Sequence, residues 1–368
     1  MKVAVLKEIV AGEKRTAAVP ATVEKMVAAG IEVKIQAGAG LSSGFSDGDY
    51  RAAGAAISPD ADGVDVVLKV QRPVEQELEG IPERAALIAY TLQSRGDAGY
   101  VEKLKRRHIS ALSLDLLPRI ARAQNMDVLS SMANIAGYKS VLLAANALGK
   151  FFPMLMTAAG TVLPARVFVL GAGVAGLQAV ATARRLGAVV SAFDIRPTVK
   201  EQVESLGARF VGADLDQHAE DAKGYAKEVS ADTARKEKEL LLEEMKATDA
   251  CITTALVPGK RAPILVTAQM VEAMRPGSVI VDVAAEQGGN CELTEAGKEI
   301  VHQGVTIIGP INIPSAMAFQ ASQLYSRNVL NFLMHLYDKK AGRMSLDPAD
   351  EIVKSCLIAH AGEVLLPA

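Results

Sequence analysis

Tryptophan is absent from this 368-residue chain, aromatic residues make up 4% of it, and cysteine occurs three times. So few flat rings leave little on which the bases of single-stranded nucleic acid could stack. Cys251, Cys291 and Cys356 lie far apart with no CxxC spacing. Neither a disulfide framework nor a zinc or other metal site is expected, which fits a reducing compartment. The formal net charge is −2, so no attraction to phosphate backbones or anionic lipid is expected, and nucleic acid is not an expected partner. No stretch of about 20 uninterrupted apolar residues occurs, so no membrane insertion is expected. Lys2-Val3-Ala4-Val5-Leu6 directly after Met1 reads as a first strand and not as a signal peptide. These absences point to a cytoplasmic location.

What is present is an ordinary globular composition, 50% apolar and 22% charged, in a chain too long for one core. Short apolar runs alternate with helical patterns, the mark of parallel α/β sheets. Strands are expected at residues 3–6, 31–35, 64–70, 86–90 and 109–114, with helices at 21–29 and 99–107. The alternation restarts with strands at 166–170, 189–193, 209–211, 250–253, 278–283 and 305–308. An apolar stretch at 132–148 is long enough for a connecting helix. Beyond Pro314 the chain reads as helix again, with Ala318, Leu324, Val329, Leu330, Leu333 and Leu336 as apolar positions. The expected fold class is α/β, with two doubly wound parallel-sheet, Rossmann-like domains. The first is discontinuous, residues 1–130 plus 315–368; the second, residues 131–314, carries the dinucleotide fingerprint.

That fingerprint is Gly171-Ala172-Gly173-Val174-Ala175-Gly176. It is preceded by the apolar strand and followed by the helical run 177–186, which a bare GxGxxG would lack. Gly171 allows the tight turn, Gly173 lets the backbone approach a pyrophosphate, and Gly176 lets helix and strand pack closely. The free N–H groups and dipole of the helix then face the phosphates. Val174 and Ala175 complete the turn. Asp194 ends the next strand, about 18 residues beyond Gly176, where a ribose-binding acid belongs. Its carboxylate would accept from a 2′-OH and repel a 2′-phosphate, so NAD(H) is the expected cofactor. Ile195 and Arg196 follow; Arg196 softens that preference if it turns inward, and such a residue more often sits in solvent.

The first domain has no fingerprint, since Gly38-Ala39-Gly40 lacks the third glycine and the acid. Lys69, at the end of a strand, and Arg15, after the first strand, could each meet a carboxylate or be surface charges. Residues 117–131 are unusually polar for a domain junction, and read equally as a binding loop or a solvated helix start. The long polar connection 212–235 reads as a lid or as a helical surface insertion. His108, His218, His302, His335 and His360 all fall in surface-like segments. Dehydrogenases acting on hydroxyl, keto or amino groups need a general acid or base beside the hydride. Transfer between two nicotinamides needs none.

Over nearly its whole length the chain resembles the NAD(H)-binding domain I of the alpha subunit of proton-translocating NAD(P) transhydrogenases. The resemblance rests on Lys7-Glu8, Glu13-Lys14-Arg15, Val70-Gln71-Arg72-Pro73, residues 118–131, Ala158-Ala159-Gly160-Thr161-Val162 and the glycine turn. It continues through Lys200-Glu201-Gln202-Val203-Glu204-Ser205-Leu206-Gly207, Gly224-Tyr225-Ala226-Lys227 and Glu286-Gln287-Gly288-Gly289-Asn290. It implies that Arg119, Gln124, Asp127 and Ser130 surround the nicotinamide and its ribose, and that Tyr225 belongs to a mobile loop closing over NAD(H). It also implies a homodimer, an NADP(H)-binding component and a membrane-embedded proton channel as partners. The chain would then lie on the cytoplasmic face of the inner membrane through those partners. Alanine dehydrogenase is similar in fold and fingerprint, and Arg15 and Lys69 match its substrate-binding positions. Its catalytic histidine position reads Tyr90-Thr91-Leu92-Gln93 here, and its aspartate before Gln-Gly-Gly is Glu286. A non-catalytic NAD-sensing module is the third alternative, and it would have no need of Arg119, Gln124 and Asp127 at the ring.

Overall fold

Two series of β-branched runs become two separate sheets. The computed structural model describes residues 1–91, 98–212, 231–257 and 260–365. The chain divides into two compact units, Met1–Met132 with Pro314–Ala368, and Ala133–Ile313. In the first, strands β1 (Lys2–Val5), β2 (Glu32–Gln36), β3 (Ala56–Ser58), β4 (Val66–Leu68), β5 (Ala86–Ala89) and β6 (Ser110–Ser113) are all parallel. Their spatial order is β6-β5-β4-β1-β2-β3. The inner strands β4, β5 and β6 are buried at every position, as strands covered on both faces must be.

An all-parallel sheet is not what closes this unit. Leu357–His360 adds antiparallel to β6, and Glu363–Val364 pairs back on it. The turn between them has Ala361 at φ 49° and Gly362 at φ 88°, the two positive values that match a tight hairpin to strand twist. Sequence periodicity missed both strands, and β3 as well, because each is too short to show alternation.

The second unit opens with an antiparallel hairpin, β7 (Leu155–Thr157) and β8 (Gly160–Val162). Its main sheet is β9 (Arg166–Leu170), β10 (Val189–Phe193), β11 (Arg209–Val211), β12 (Ala250–Thr253), β13 (Val279–Asp282), β14 (Glu299–His302) and β15 (Val305–Ile308). The order is β11-β10-β9-β12-β13-β15-β14, parallel except for the edge strand β14. That antiparallel edge was also unforeseen.

Both sheets thus reverse their winding at one place, between β1 and β4 in the first and between β9 and β12 in the second. Neighbouring strands there send their chains in opposite directions, which leaves a crevice at their carboxyl ends where ligands of such sheets collect.

The helix Val128–Ala147 runs from one unit into the other. By length and composition alone it could cross a membrane, yet Asn134, Lys139 and Asn146 interrupt its apolar run. Val141 and Ala144 join the core beneath β9 and β10. A Cβ on Gly137 would lie 2.1 Å from the Ala175 carbonyl oxygen. Glycine in a helix interior costs about 1 kcal/mol against alanine, and here it lets two backbones touch.

The crevice of the first unit is filled by charge. Lys69 follows β4 by one residue and is fully buried; its ammonium lies 3.5 Å from Glu8 and bonds Glu77. Glu8 accepts from the Val70 amide at 2.7 Å. Arg15 pairs with Glu13 through Nη2 at 2.6 Å and Nε at 2.8 Å. Burial pushes the Glu8 carboxyl up to about 7, against the pull of Lys69 and the Val70 amide. The folded chain therefore holds that proton more tightly than the unfolded one, and this contribution to stability is lost as pH rises from 4.5 through about 7. Glu13 has the opposite sign. Burial raises it, but its bonds and charge contact with Arg15 win and bring it down to about 2, so its contribution is full above 4.5 and lost as pH falls. Glu8→Gln is expected to flatten the melting temperature between pH 4.5 and 7 and to leave the acid limb in place. Thermal melts across that range check it; an unchanged slope would mean that Glu8 titrates as an ordinary carboxyl.

Candidate functional site

Among the described residues, glycines stand at the crevice of the second unit where charges fill that of the first. β9 ends at Leu170, and Gly171 turns the chain at φ 93°. A Cβ on Gly171 would meet Thr254 Oγ1 at 2.9 Å, and one on Gly176 would lie 1.8 Å from the Gly171 carbonyl oxygen. No atom of the described residues lies within 4 Å of the place a Gly173 Cβ would take. Gly173 is the N-cap of the helix Val174–Arg185 and has no side chain to cap it. The first helical bond runs from the Leu177 amide to the Gly173 carbonyl at 2.8 Å. The amides of Val174, Ala175 and Gly176 precede it, as the orphan donors of any helix start do. An open approach, an uncapped helix end and its partial positive charge are together the features of a cradle that favours an anion.

Asp194, just past β10, closes one side of that cradle. Its Oδ2 accepts from the Ala172 amide at 2.7 Å and from Arg196 Nη2 at 3.0 Å. Its Oδ1 accepts from the Arg196 amide and from Arg196 Nε, both at 2.9 Å. Four donors fill the four lone-pair positions of a carboxylate. Arg196 therefore does not stand in solvent, the more common position for such a residue, but lies folded on the acid. A ribose hydroxyl can donate to Asp194 only as that guanidinium withdraws. Ile195 is half-buried and packs on the core behind the turn.

Sequence reasoning missed the residues that hold the opposite wall. Thr254 follows β12, and its hydroxyl donates to the Gly171 carbonyl at 3.0 Å, tying the glycine turn across the break in the sheet. The carboxylate of Asp282, last in β13 and fully buried, accepts from Thr253 Oγ1 (2.8 Å), Thr294 Oγ1 (2.6 Å) and the amides of Ala284 (3.0 Å), Asn290 (2.8 Å) and Cys291 (3.0 Å). Asn290, fixed this way, accepts from the Ala255 amide at 3.0 Å and donates to the carbonyls of Ala255 and Pro263, each at 2.8 Å. One buried acid thus sets the loop after β12. The available signal was an aspartate inside an apolar strand, where an ionised group needs such partners. Glu286 is exposed and takes no part in this network.

In the first unit, residues 118–131 form the short helix Ala121–Met126 and lead into the helix Val128–Ala147. Asp127 accepts from the Ser130 amide at 2.9 Å and from its hydroxyl at 2.5 Å. Both residues therefore start the helix, whatever else they touch. Gln124 and Arg119 are exposed, while Ala123 and Met126 beneath them are buried. The four candidates thus fall in one segment, with Arg119 before the short helix, Gln124 in it, and Asp127 and Ser130 at the start of the long one.

Two expectations need correction or limits. Arg15 and Lys69 are not surface charges: they are 4% and 0% exposed and belong to the ionic cluster above. Tyr225, its loop, His218, Leu92 and Gln93 lie outside the described residues. Of the described histidines, His302 bonds Glu272 at 3.3 Å and His335 bonds Asp350 at 3.0 Å, both near the surface. His360 ends a strand antiparallel to β6 and contacts Ser110, the first residue of β6. His108 occupies the turn before β6. None of these four stands at the carboxyl end of a parallel strand of the first unit.

Comparison with known proteins gives this architecture a family. The family described as "Alanine dehydrogenase/PNT, N-terminal domain" matches residues 4–136, and "Alanine dehydrogenase/PNT, C-terminal domain" matches residues 140–367. The chain is 48% identical over 379 aligned positions to the first of the polypeptides that make up the NAD(P) transhydrogenase alpha subunit of Rhodospirillum rubrum, covering 100% of this chain and 98% of that one. It is 32% identical to an alanine dehydrogenase of Halomonas elongata, over 99% of this chain and 94% of the relative. The crystal structure of a transhydrogenase from Sinorhizobium meliloti superposes with a TM-score of 0.91 at 43% identity, covering 99% of this chain and 100% of the other. Since the two domain families span almost every residue and a relative nearly half identical matches end to end, the chain belongs to the alanine dehydrogenase/PNT family.

Proposed function

We propose that this chain is the NAD(H)-binding component of a proton-translocating NAD(P) transhydrogenase. The observation that carries the reading is the glycine turn, with its open uncapped helix start, in a chain that matches a named transhydrogenase alpha polypeptide from end to end. Bound in the cradle, NADH would supply a hydride to an NADP⁺ held by a partner component, leaving NAD⁺ and NADPH. The chain's own residues then have no proton to move. They bind, orient and exclude water, which for a well-aligned pair is the main source of rate.

The uncapped amides at 174–176 take the pyrophosphate, and Asp194 takes the ribose hydroxyls once Arg196 has swung clear. Gln124 and Asp127, with Arg119 and Ser130, orient the nicotinamide. The two units would then act as a first domain and an NAD(H)-binding domain. A membrane-embedded proton channel is the second partner and keeps this chain on the cytoplasmic face of the inner membrane. A second copy of the chain is supported by the β7–β8 region, where Met154, Met156 and Leu163 are well exposed although apolar.

The alanine dehydrogenase reading gains from the burial of Arg15 and Lys69 at the switch point of the first sheet. Against it, both cations are paired with carboxylates of this chain, and no described histidine stands beside them as a proton donor. Loss of proton transfer typically costs 10²–10⁴-fold, roughly, in such chemistry.

Two substitutions test the assignment. Asp194→Ala removes a charged acceptor worth about 1.5–3 kcal/mol, so NADH affinity in a fluorescence titration should fall about ten- to hundred-fold. With Arg196 released from its acid, the preference over NADPH should also narrow; unchanged affinity removes Asp194 from the site. Gln124→Leu should slow single-turnover hydride transfer by roughly ten- to hundred-fold while changing NADH affinity little. Equal losses in both would make the segment a holder of the cofactor and not an aligner of the ring.

A further inference from the structure

Besides the apolar positions expected of it, the helix Ala318–Leu336 carries polar groups at three-residue steps, buried at Ser322, Tyr325 and Asn328 and half-buried at Asn331. Ser322 Oγ accepts from the Thr16 amide at 3.0 Å, and Tyr325 OH donates to the Lys69 carbonyl at 2.9 Å. One turn further on, Asn328 Nδ2 and Asn331 Nδ2 both donate to the Asn125 carbonyl oxygen, each at 2.9 Å. Residues three apart are neighbours on a helix, each about 60° round from the last, so the row winds part-way round the helix and a single element reaches the loop after β1, the end of β4 and the short helix Ala121–Met126.

The pair on Asn125 is the informative one. A carbonyl oxygen has two lone pairs, and both are used by amides from one helix. Asn328 is buried, and its Oδ1 has no hydrogen-bond partner among the described residues. A leucine would pack there without leaving a polar atom unsatisfied. What leucine could not supply is the donor to Asn125, which sits between Gln124 and Asp127. Ala123 and Met126 are buried beneath the same turn, so its height is set by packing while its register is set by the two amides.

We propose that Asn328 and Asn331 are positioning residues that hold the Asn125 carbonyl and thereby set where Gln124 and Asp127 stand for hydride transfer. The inference rests on the functional reading above. Neither side chain need touch the cofactor; they act through the backbone of the loop.

The test uses the full chain with its NADP(H)-binding partner component. Asn331→Asp is nearly isosteric and turns a donor into a carboxylate facing a carbonyl oxygen. Asn331→Leu removes the donor without adding charge, should the first variant fail to fold. Asn331→Gln keeps a donor. Amide hydrogen exchange at residues 121–127 should become several-fold faster, up to about ten-fold, in the first two variants. Single-turnover transfer from NADH to NADP⁺ should slow roughly ten- to hundred-fold, with NADH affinity within about two-fold of the unsubstituted protein. Asn331→Gln should restore most of the rate, which a general loss of stability would not allow. Unchanged exchange at 121–127 would overturn the proposal, as would faster exchange with unchanged transfer. An unsubstituted protein that transfers no hydride would overturn the functional reading instead, and the exchange measurement would still decide whether the two asparagines hold the loop.

Discussion

Where neighbouring parallel strands send their chains to opposite sides of a sheet, a crevice opens at their carboxyl ends, and the backbone groups around it need partners. Both sheets here have that break in the same place in their strand order. The way each crevice is settled distinguishes the two units. Between β9 and β12 the settlement is glycine: the short Thr254 side chain ties the turn, and a helix end is left with no side-chain cap among the described residues. Between β1 and β4 it is a set of buried ion pairs, with Lys69, Glu8 and Glu77 at the break and Arg15 with Glu13 beside it. Taking such charges out of water is costly unless they pair and bond well, and here the carboxylates also accept backbone amides.

The loops around these crevices hang from buried side chains more than from secondary structure. Asp282 gathers the amides and hydroxyls that fix Asn290, and Asn290 fixes the loop after β12. Asp194 holds both the Ala172 amide and Arg196. On the other unit, the helix Ala318–Leu336 reaches three segments with one row of polar side chains. A reaction that needs alignment and not proton transfer places its demands on this kind of fastening. An ångström lost at a loop would be lost at the ring.

Much of this was legible in the sequence. Strands β9, β10, β11, β12 and β15 fall where the apolar runs end, because turn residues flank each run, and β9, β10 and β12 are buried over nearly their whole length. The glycine turn was legible because each glycine answers a separate steric demand. The antiparallel edges were not, since two to four residues give no alternation to read. Nor was the burial of Arg15 and Lys69 clear: Glu13 stands two residues from Arg15, but Glu8 is brought to Lys69 from another segment, and only the fold takes both cations out of water. Asn328 and Asn331 looked like ordinary polar positions on a helix. Their role depends on which carbonyl the fold brings opposite them, and three-dimensional neighbours separated by some 200 residues leave no local mark.

The central claim is that this chain passes a hydride directly to a second nicotinamide and needs no proton donor to do so. Rapid mixing of the NADH-loaded protein with an NADP⁺-loaded transhydrogenase NADP-binding component tests it most directly, beside a control with pyruvate and ammonium. The account predicts fast NADPH formation in the first and no NADH consumption in the second. NADH consumed only with pyruvate and ammonium would contradict it, and would place an unrecognised acid beside Arg15 and Lys69.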